Sequence, residues 1–195
     1  MGMHCQIGFF RSDAAGYEYL WTRNFMNYAG TAASKQWLTM SRIRLGLCIT
    51  AHESGKWKLD MNGGLVLAQP LLVEKIEFIE YSGNKAGTQT IVTTGRISTG
   101  FYVSLQSSYK LGTHWSLQAE FLAIGQTWQP AKRSITQFEL DGTNRLEQMD
   151  VWQKEIEFNE DAPPNQSNPN APYQILPVTY LLNTVGLQVG VVRRF

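Results

Sequence analysis

From Ile97 to Leu111 the chain alternates without a break. Ile97, Thr99, Phe101, Val103, Leu105, Ser107, Tyr109 and Leu111 fall on one face, and Ser98, Gly100, Tyr102, Ser104, Gln106, Ser108 and Lys110 on the other. Strand side chains point to opposite faces in turn, so a period of two predicts a strand with one apolar face and one polar face. After Leu111-Gly112-Thr113-His114 the pattern resumes. Trp115, Leu117, Ala119, Phe121 and Ala123 stand against Ser116, Gln118 and Glu120, which makes a tight hairpin. A second hairpin is predicted upstream. Ile43, Leu45, Leu47 and Ile49 alternate with Arg42, Arg44, Gly46 and Cys48. The turn at 51–56 comes next, and then Trp57, Leu59, Met61, Leu65 and Leu67 alternate with Lys58, Asp60, Asn62 and Gly64. The two ends of the sequence alternate as well: Met3, Cys5, Ile7 and Phe9, and Val185, Leu187, Val189 and Val191 up to Phe195.

The connections between these tracts are unequal. Two are short, at 51–56 and 112–114, and three are long, at 11–36, 69–95 and 129–177. Long connections are unusual in a compact water-soluble domain. Short turns alternating with long loops are what a transmembrane barrel shows. Both short turns then fall on one side of the membrane. Two long segments carry hairpin signals of their own. One runs through 74–81 and returns through 88–94; the other runs through 134–140, turns at Asp141-Gly142 and returns through 151–158, Asp-Gly being a strong turn signal. The Pro-rich stretch 159–172 reads as an irregular loop. Six tracts carry the membrane-strand pattern. The eight strands of the smallest such barrels place the remaining pair within 134–182, at 146–158 and 173–182, although Pro177 is poorly suited to a paired central strand.

Composition agrees with this reading. The 195 residues are 43% hydrophobic with a mean hydropathy of −0.24. No apolar run reaches the about 18 residues that a membrane helix needs, but barrel strands hide their apolar face in the alternation. A net charge of +1 gives no basic face for nucleic acid. Cys5 and Cys48 fit no metal spacing and fall on opposite strand faces by parity, so two separate small hydrophobes are expected in place of a disulfide. Residues 1–6, Met-Gly-Met-His-Cys-Gln, carry no secretion leader pattern, and a leader is expected to have been removed or left out. No phosphate loop, zinc motif or dinucleotide fingerprint occurs, and no cofactor is expected.

The hairpin at 101–125, especially Ser108-Tyr109-Lys110-Leu111-Gly112-Thr113-His114-Trp115-Ser116-Leu117, and the closing tract 186–195 resemble small bacterial outer-membrane β-barrel proteins of the OmpA/OmpX type. The resemblance is one of pattern and covers about half of the chain. It implies a single all-β domain over 1–195, an antiparallel up-and-down transmembrane barrel of eight strands with long extracellular loops. It also implies residence in the bacterial outer membrane, contact with outer-membrane lipid, insertion by the barrel-assembly machinery with Phe195 as its C-terminal signal, and protein partners in the same membrane. Arg42, Arg44, Lys58, Asp60, Gln106, Gln118 and Glu120 are then lumen-facing. Trp57, Tyr109 and Trp115, beside the short turns, form an interfacial girdle. Tyr17, Tyr19, Trp21, Phe25 and Tyr28 are either a partner-contact loop, an extended strand or a short helix packed over the barrel mouth.

The functional expectation is a non-enzymatic anchor or accessory subunit of a larger outer-membrane complex. A small-solute pore and a soluble lipocalin-like ligand-binding barrel are the alternatives. His114-x-Ser116 resembles the His-x-Ser pair of an outer-membrane lipid A deacylase, but its flanking residues differ. Acyl transfer also needs an oriented Ser–His pair, whereas His114 falls in a turn.

Overall fold

A computed structural model describes residues 2–23, 28–80, 85–162 and 168–193, with side chains described in 32–79, 85–162 and 168–193. The chain is all-β. Among the described residues twelve strands lie in one sheet, together with a 3-10 turn (Leu146–Gln148) and a one-turn helix α1 (Val151–Lys154). Three strands are long: β1 (Gly2–Arg23), β2 (Tyr28–Ser54) and β3 (Trp57–Glu80). The rest are shorter: β4 (Lys85–Gly95), β5 (Ser98–Lys110), β6 (Trp115–Trp128), β7 (Pro130–Leu140), β8 (Thr143–Asn144), β9 (Glu155–Phe158), β10 (Tyr173–Ile175), β11 (Tyr180–Leu181) and β12 (Thr184–Arg193).

The strands fall along six antiparallel lines. β1 pairs with β2, and β2 with β3 along nearly all its length. The lower part of β3 pairs with β5 (Trp57↔Tyr109 to Ala68↔Ser98), and its upper part with β4 (Leu71↔Thr94 to Glu80↔Lys85). β4 and β5 are thus one line interrupted at residues 96–97. β6 and β7 continue each other in the same way beside them. β11 and β12 close the lower sheet against β6, while β8 and β9 flank β7, with β10 parallel to β9.

The expected strand count is therefore corrected: eleven segments on six antiparallel lines, with β10 beyond them beside β9, stand where eight strands were expected. Among the described residues β1 pairs only with β2 and β12 only with β6, so the sheet ends in two free edges.

The expected hairpins at 43–67 and 101–123 are present, 74–80 pairs with 85–94, and of the return expected at 151–158 only 155–158 is strand. Gly55, at φ +57°, turns β2 into β3, and Lys110 N donates to Lys56 O at 2.9 Å, which sets the 55–56 and 111–114 turns side by side at one end. Asp141 (φ +50°) and Gly142 (φ +71°) turn β7 into β8 at the other end. Two consecutive positive φ values are the hairpin geometry that Asp-Gly favours.

The long connections are corrected. Residues 11–23 and 28–36 continue β1 and β2, 69–80 and 85–95 continue β3 and β4, and 130–140 forms β7. Within 146–154, expected as strand, 146–148 and 151–154 are helical turns; Asp150 N donates to Gln153 Oε1 at 3.0 Å and starts the second. Pro177 separates β10 from β11, as a residue without an amide must.

The polarity of the two faces reverses along the strands. In the lower half the row Ile49↔Met61↔Leu105↔Phe121↔Leu187 faces outward and the row Thr50↔Asp60↔Gln106↔Glu120↔Gln188 faces inward. In the upper half the outward row is Lys35↔Lys75↔Thr90↔Gln137, and the inward row is Ala32↔Phe78↔Gly87↔Leu140. There Ala32, Ile76, Phe78, Ile91, Phe138 and Met149 form a buried apolar cluster, with Leu146 packed over it. Phe78 and Phe138 stack at 6.1 Å. On the polar outer side a hydrogen bond from Lys75, 3.0 Å away, holds the Glu77 carboxyl below the usual carboxylate range. The upper half obeys the rule of a water-soluble protein, and the lower half inverts it.

Candidate functional site: a buried polar inner face and an apolar outer belt

Residues paired across antiparallel strands share a face. Arg42, Arg44, Asp60, Gln106, Gln118 and Glu120 accordingly share the inward face, and Lys58 turns its ammonium to Asp60 Oδ2 at 2.7 Å. The sheet curls enough for Arg44 on β2 to reach Glu120 on β6, with β3 and β5 lying between them. Both guanidinium nitrogens donate, at 3.0 and 3.2 Å, and the pair is nearly excluded from solvent. The Arg44 guanidinium also lies 5.3 Å from the centre of the Tyr102 ring. Two isolated buried charges would be costly, but a bidentate pair satisfies both.

Around this pair, Thr50 donates to Asp60 Oδ1 at 2.8 Å and Asn62 to Ser104 at 3.2 Å. Arg42 Nη2 lies 3.2 Å from Met40 Sδ. Farther up, Glu74 accepts from Ser34 (2.7 Å), Gln36 (3.1 Å) and Arg133 (2.8 Å), a second charged crossing from β3 to β7. Val66, Tyr102, Leu122 and Ile124 are packed between the two crossings. The interior is filled with side chains at several levels.

Room for Tyr102 comes from glycine. A Cβ on Gly46 would sit 2.6 Å from the Tyr102 hydroxyl and against the Gly63 carbonyl, and one on Gly64 would meet the Leu45 carbonyl. Gly46 pairs with Gly64, and Gly64 with Tyr102, so a bulky ring lies over two small neighbours.

The outer belt of the lower half carries no charge from Ile43 to Ile49, on outward positions 59–71, or from Phe101 to Leu105 and Leu117 to Phe121. Its residues are strongly exposed: Ile49 55%, Met61 55%, Leu65 53%, Phe101 70% and Phe121 53%. At its lower edge Trp57 and Tyr109 are in contact, with ring centroids 4.9 Å apart, and Arg193 lies 5.7 Å over the Trp115 ring.

His114 is exposed in the turn, Ser116 is buried, and both oxygens of Glu120 serve Arg44, so these three do not form a catalytic relay. Cys5 lies opposite Leu45 and Cys48 opposite Gly2, on opposite faces of the pair, and Cys48 is a free thiol. Tyr17, Tyr19 and Trp21 belong to the backbone of β1 and Tyr28 to that of β2, while Phe25 and Phe195 lie outside the described residues. No group of His, Cys, Asp or Glu among the described residues is arranged to hold a metal. No helix among them is long and apolar enough to cross a membrane.

Sequence reasoning missed His52, which a local irregularity moves to the outer face, and the crossing at Glu74, whose partners lie 40 and 59 residues away. No family model, curated protein or solved structure matches the chain.

Proposed function

We propose that this chain is a small outer-membrane β-barrel protein whose lower half spans the lipid and whose upper half stands in water, serving as a non-enzymatic anchor or accessory subunit of a larger assembly. The observation that carries the reading is the reversal of polarity along single strands. A face rich in Ile, Leu and Phe with buried Arg and Glu behind it is unfavourable in water and suited to hydrocarbon. Along β3 the outward stretch from Leu59 to Leu71, uncharged and apolar but for Gln69, corresponds to about 40 Å of strand. At the usual tilt of membrane strands this is a height of about 28 Å. Closure of the barrel would join the outer edges of β1 and β12. These run in opposite directions and meet the same end of the sheet, at Gly2↔Cys48 and Arg193↔Trp115. Pairing them satisfies the backbone groups that lipid leaves without partners.

The filled interior, crossed by Arg44–Glu120 and by Glu74–Arg133, weighs against a pore. A lipocalin-like barrel needs its apolar residues inside, and those of the lower half face out. The anchoring role is supported by the upper half, whose strands β2, β3, β4 and β7 extend past the belt, and by the exposed Leu176, Val178 and Leu181.

The test is migration of the membrane-extracted protein on an SDS gel, unheated and boiled. A shift on heating is expected, and a soluble protein without a shift overturns the membrane reading. For the partner role, replacing 159–172 by a short Gly-Ser linker should preserve the shift and abolish co-purification of associated membrane proteins. Unchanged recovery rejects that role for this segment.

A further inference from the structure

The outward face departs from the apolar rule at one place on the lower rim. The register of β2 on β3 steps from Thr50↔Asp60 to His52↔Leu59, leaving Ala51 as an extra residue. Such a bulge re-aims the side chains beyond it. Without it His52 would share the inward face of Thr50; with it His52 takes the outward face of Leu59. Ser54, opposite Trp57, and Ser107, opposite Leu59, share that face. His52, Ser54, Trp57, Leu59 and Ser107, with Lys58 between them, line an open notch of about 420 Å³. Its polar groups include the His52 imidazole and two hydroxyls, and the Trp57–Tyr109 pair stands beside it. Among the nearby charges Lys58 faces Asp60 and Lys110 faces Glu53 at 3.5 Å, which leaves Lys56 as surplus positive charge at the turn.

We propose that this notch seats the phosphate-bearing headgroup of a membrane phospholipid, with its acyl chains lying along Leu59, Met61 and Leu105. His52 N–H and the hydroxyls of Ser54 and Ser107 donate to the phosphate oxygens, Lys56 supplies the positive field, and the aromatic pair marks the level of the headgroups. The proposal rests on the reading that the outer belt faces lipid. It explains why polar side chains turn outward at a rim whose neighbouring rows are apolar.

The test is native mass spectrometry of the full chain in a non-ionic detergent. The probes are phosphatidylglycerol, a diacylglycerol with the same acyl chains, and inorganic phosphate. Phosphatidylglycerol is expected to be retained where diacylglycerol is lost. The double variant His52→Ala/Ser54→Ala should weaken retention about tenfold, the loss of a charge-assisted hydrogen bond. Ser107→Ala, which removes one hydroxyl and no packing volume beyond it, is the second variant if the double one does not fold. Equal retention of diacylglycerol, undiminished retention in a folded variant, or inorganic phosphate held as well as the lipid would each overturn the proposal. The heated-gel shift separates the two readings. A wild-type protein that shifts but shows no lipid preference loses only the notch, whereas one that never shifts loses the membrane assignment itself.

Discussion

Arg44 and Glu120 hold each other in an interior that offers little else to either charge. Truncating one leaves the other buried and uncompensated, so Arg44→Ala and Glu120→Ala should each cost about 3–5 kcal/mol, whereas Arg44→Met/Glu120→Met together should fall near the wild type. Guanidinium unfolding in detergent micelles measures both, and additive single-site losses would show that the pair is not coupled. The glycines differ from one another just as sharply. Gly64→Ala drives a methyl group into the Leu45 carbonyl and is expected to destabilise by about 1–3 kcal/mol. Gly190→Ala meets nothing within 4 Å and should stay within about 0.5 kcal/mol. At this scale the sequence was informative about faces and silent about distance. Parity put Arg44 and Glu120 on inward positions, but nothing local marks two residues 76 apart as partners. His52 lay beyond the reach of parity, because one extra residue at Ala51 reverses the face of every side chain between it and the turn.

Along β2 and β3, on the proposed reading, the environment and not the conformation changes. Leu65 and Ile79 both face outward on β3 with similar exposure, 53% and 48%, so reasoning suited to a water-soluble protein treats them alike. The proposed membrane belt does not. Leu65→Arg should cost about 2–4 kcal/mol in a bilayer, and Ile79→Arg should remain within about 0.5 kcal/mol. Equal effects in refolding from urea into phospholipid vesicles would remove the belt. The sequence made the hairpins legible because Asp141-Gly142 and the Gly55 turn are local chemistry, and Pro177 marked its break for the same reason. The alternation at 74–81 and 88–94 marked the upper ends of β3 and β4, but the sequence did not reveal that 11–23 and 28–36 are strand, nor that the partner of β3 passes from β5 to β4. The turn at 151–154 had a signal that was passed over, Asp150 with Gln153 three residues on.

For the whole molecule, packing at several levels of the interior has an electrical counterpart. On the proposed reading a planar-bilayer recording should show no discrete conductance steps, and reproducible openings would require the Arg44–Glu120 and Glu74–Arg133 crossings to move aside. The length of the strands has a further consequence. From Leu71 to the hairpin end at Glu80, β3 climbs about 20 Å at the usual tilt, whereas the ionic atmosphere at physiological salt screens charge within about 8 Å. Lys85, across that hairpin, therefore stands more than two screening lengths above the belt. On the proposed reading, charge carried there would be electrically deaf to the lipid surface below and would act only on what approaches from solution.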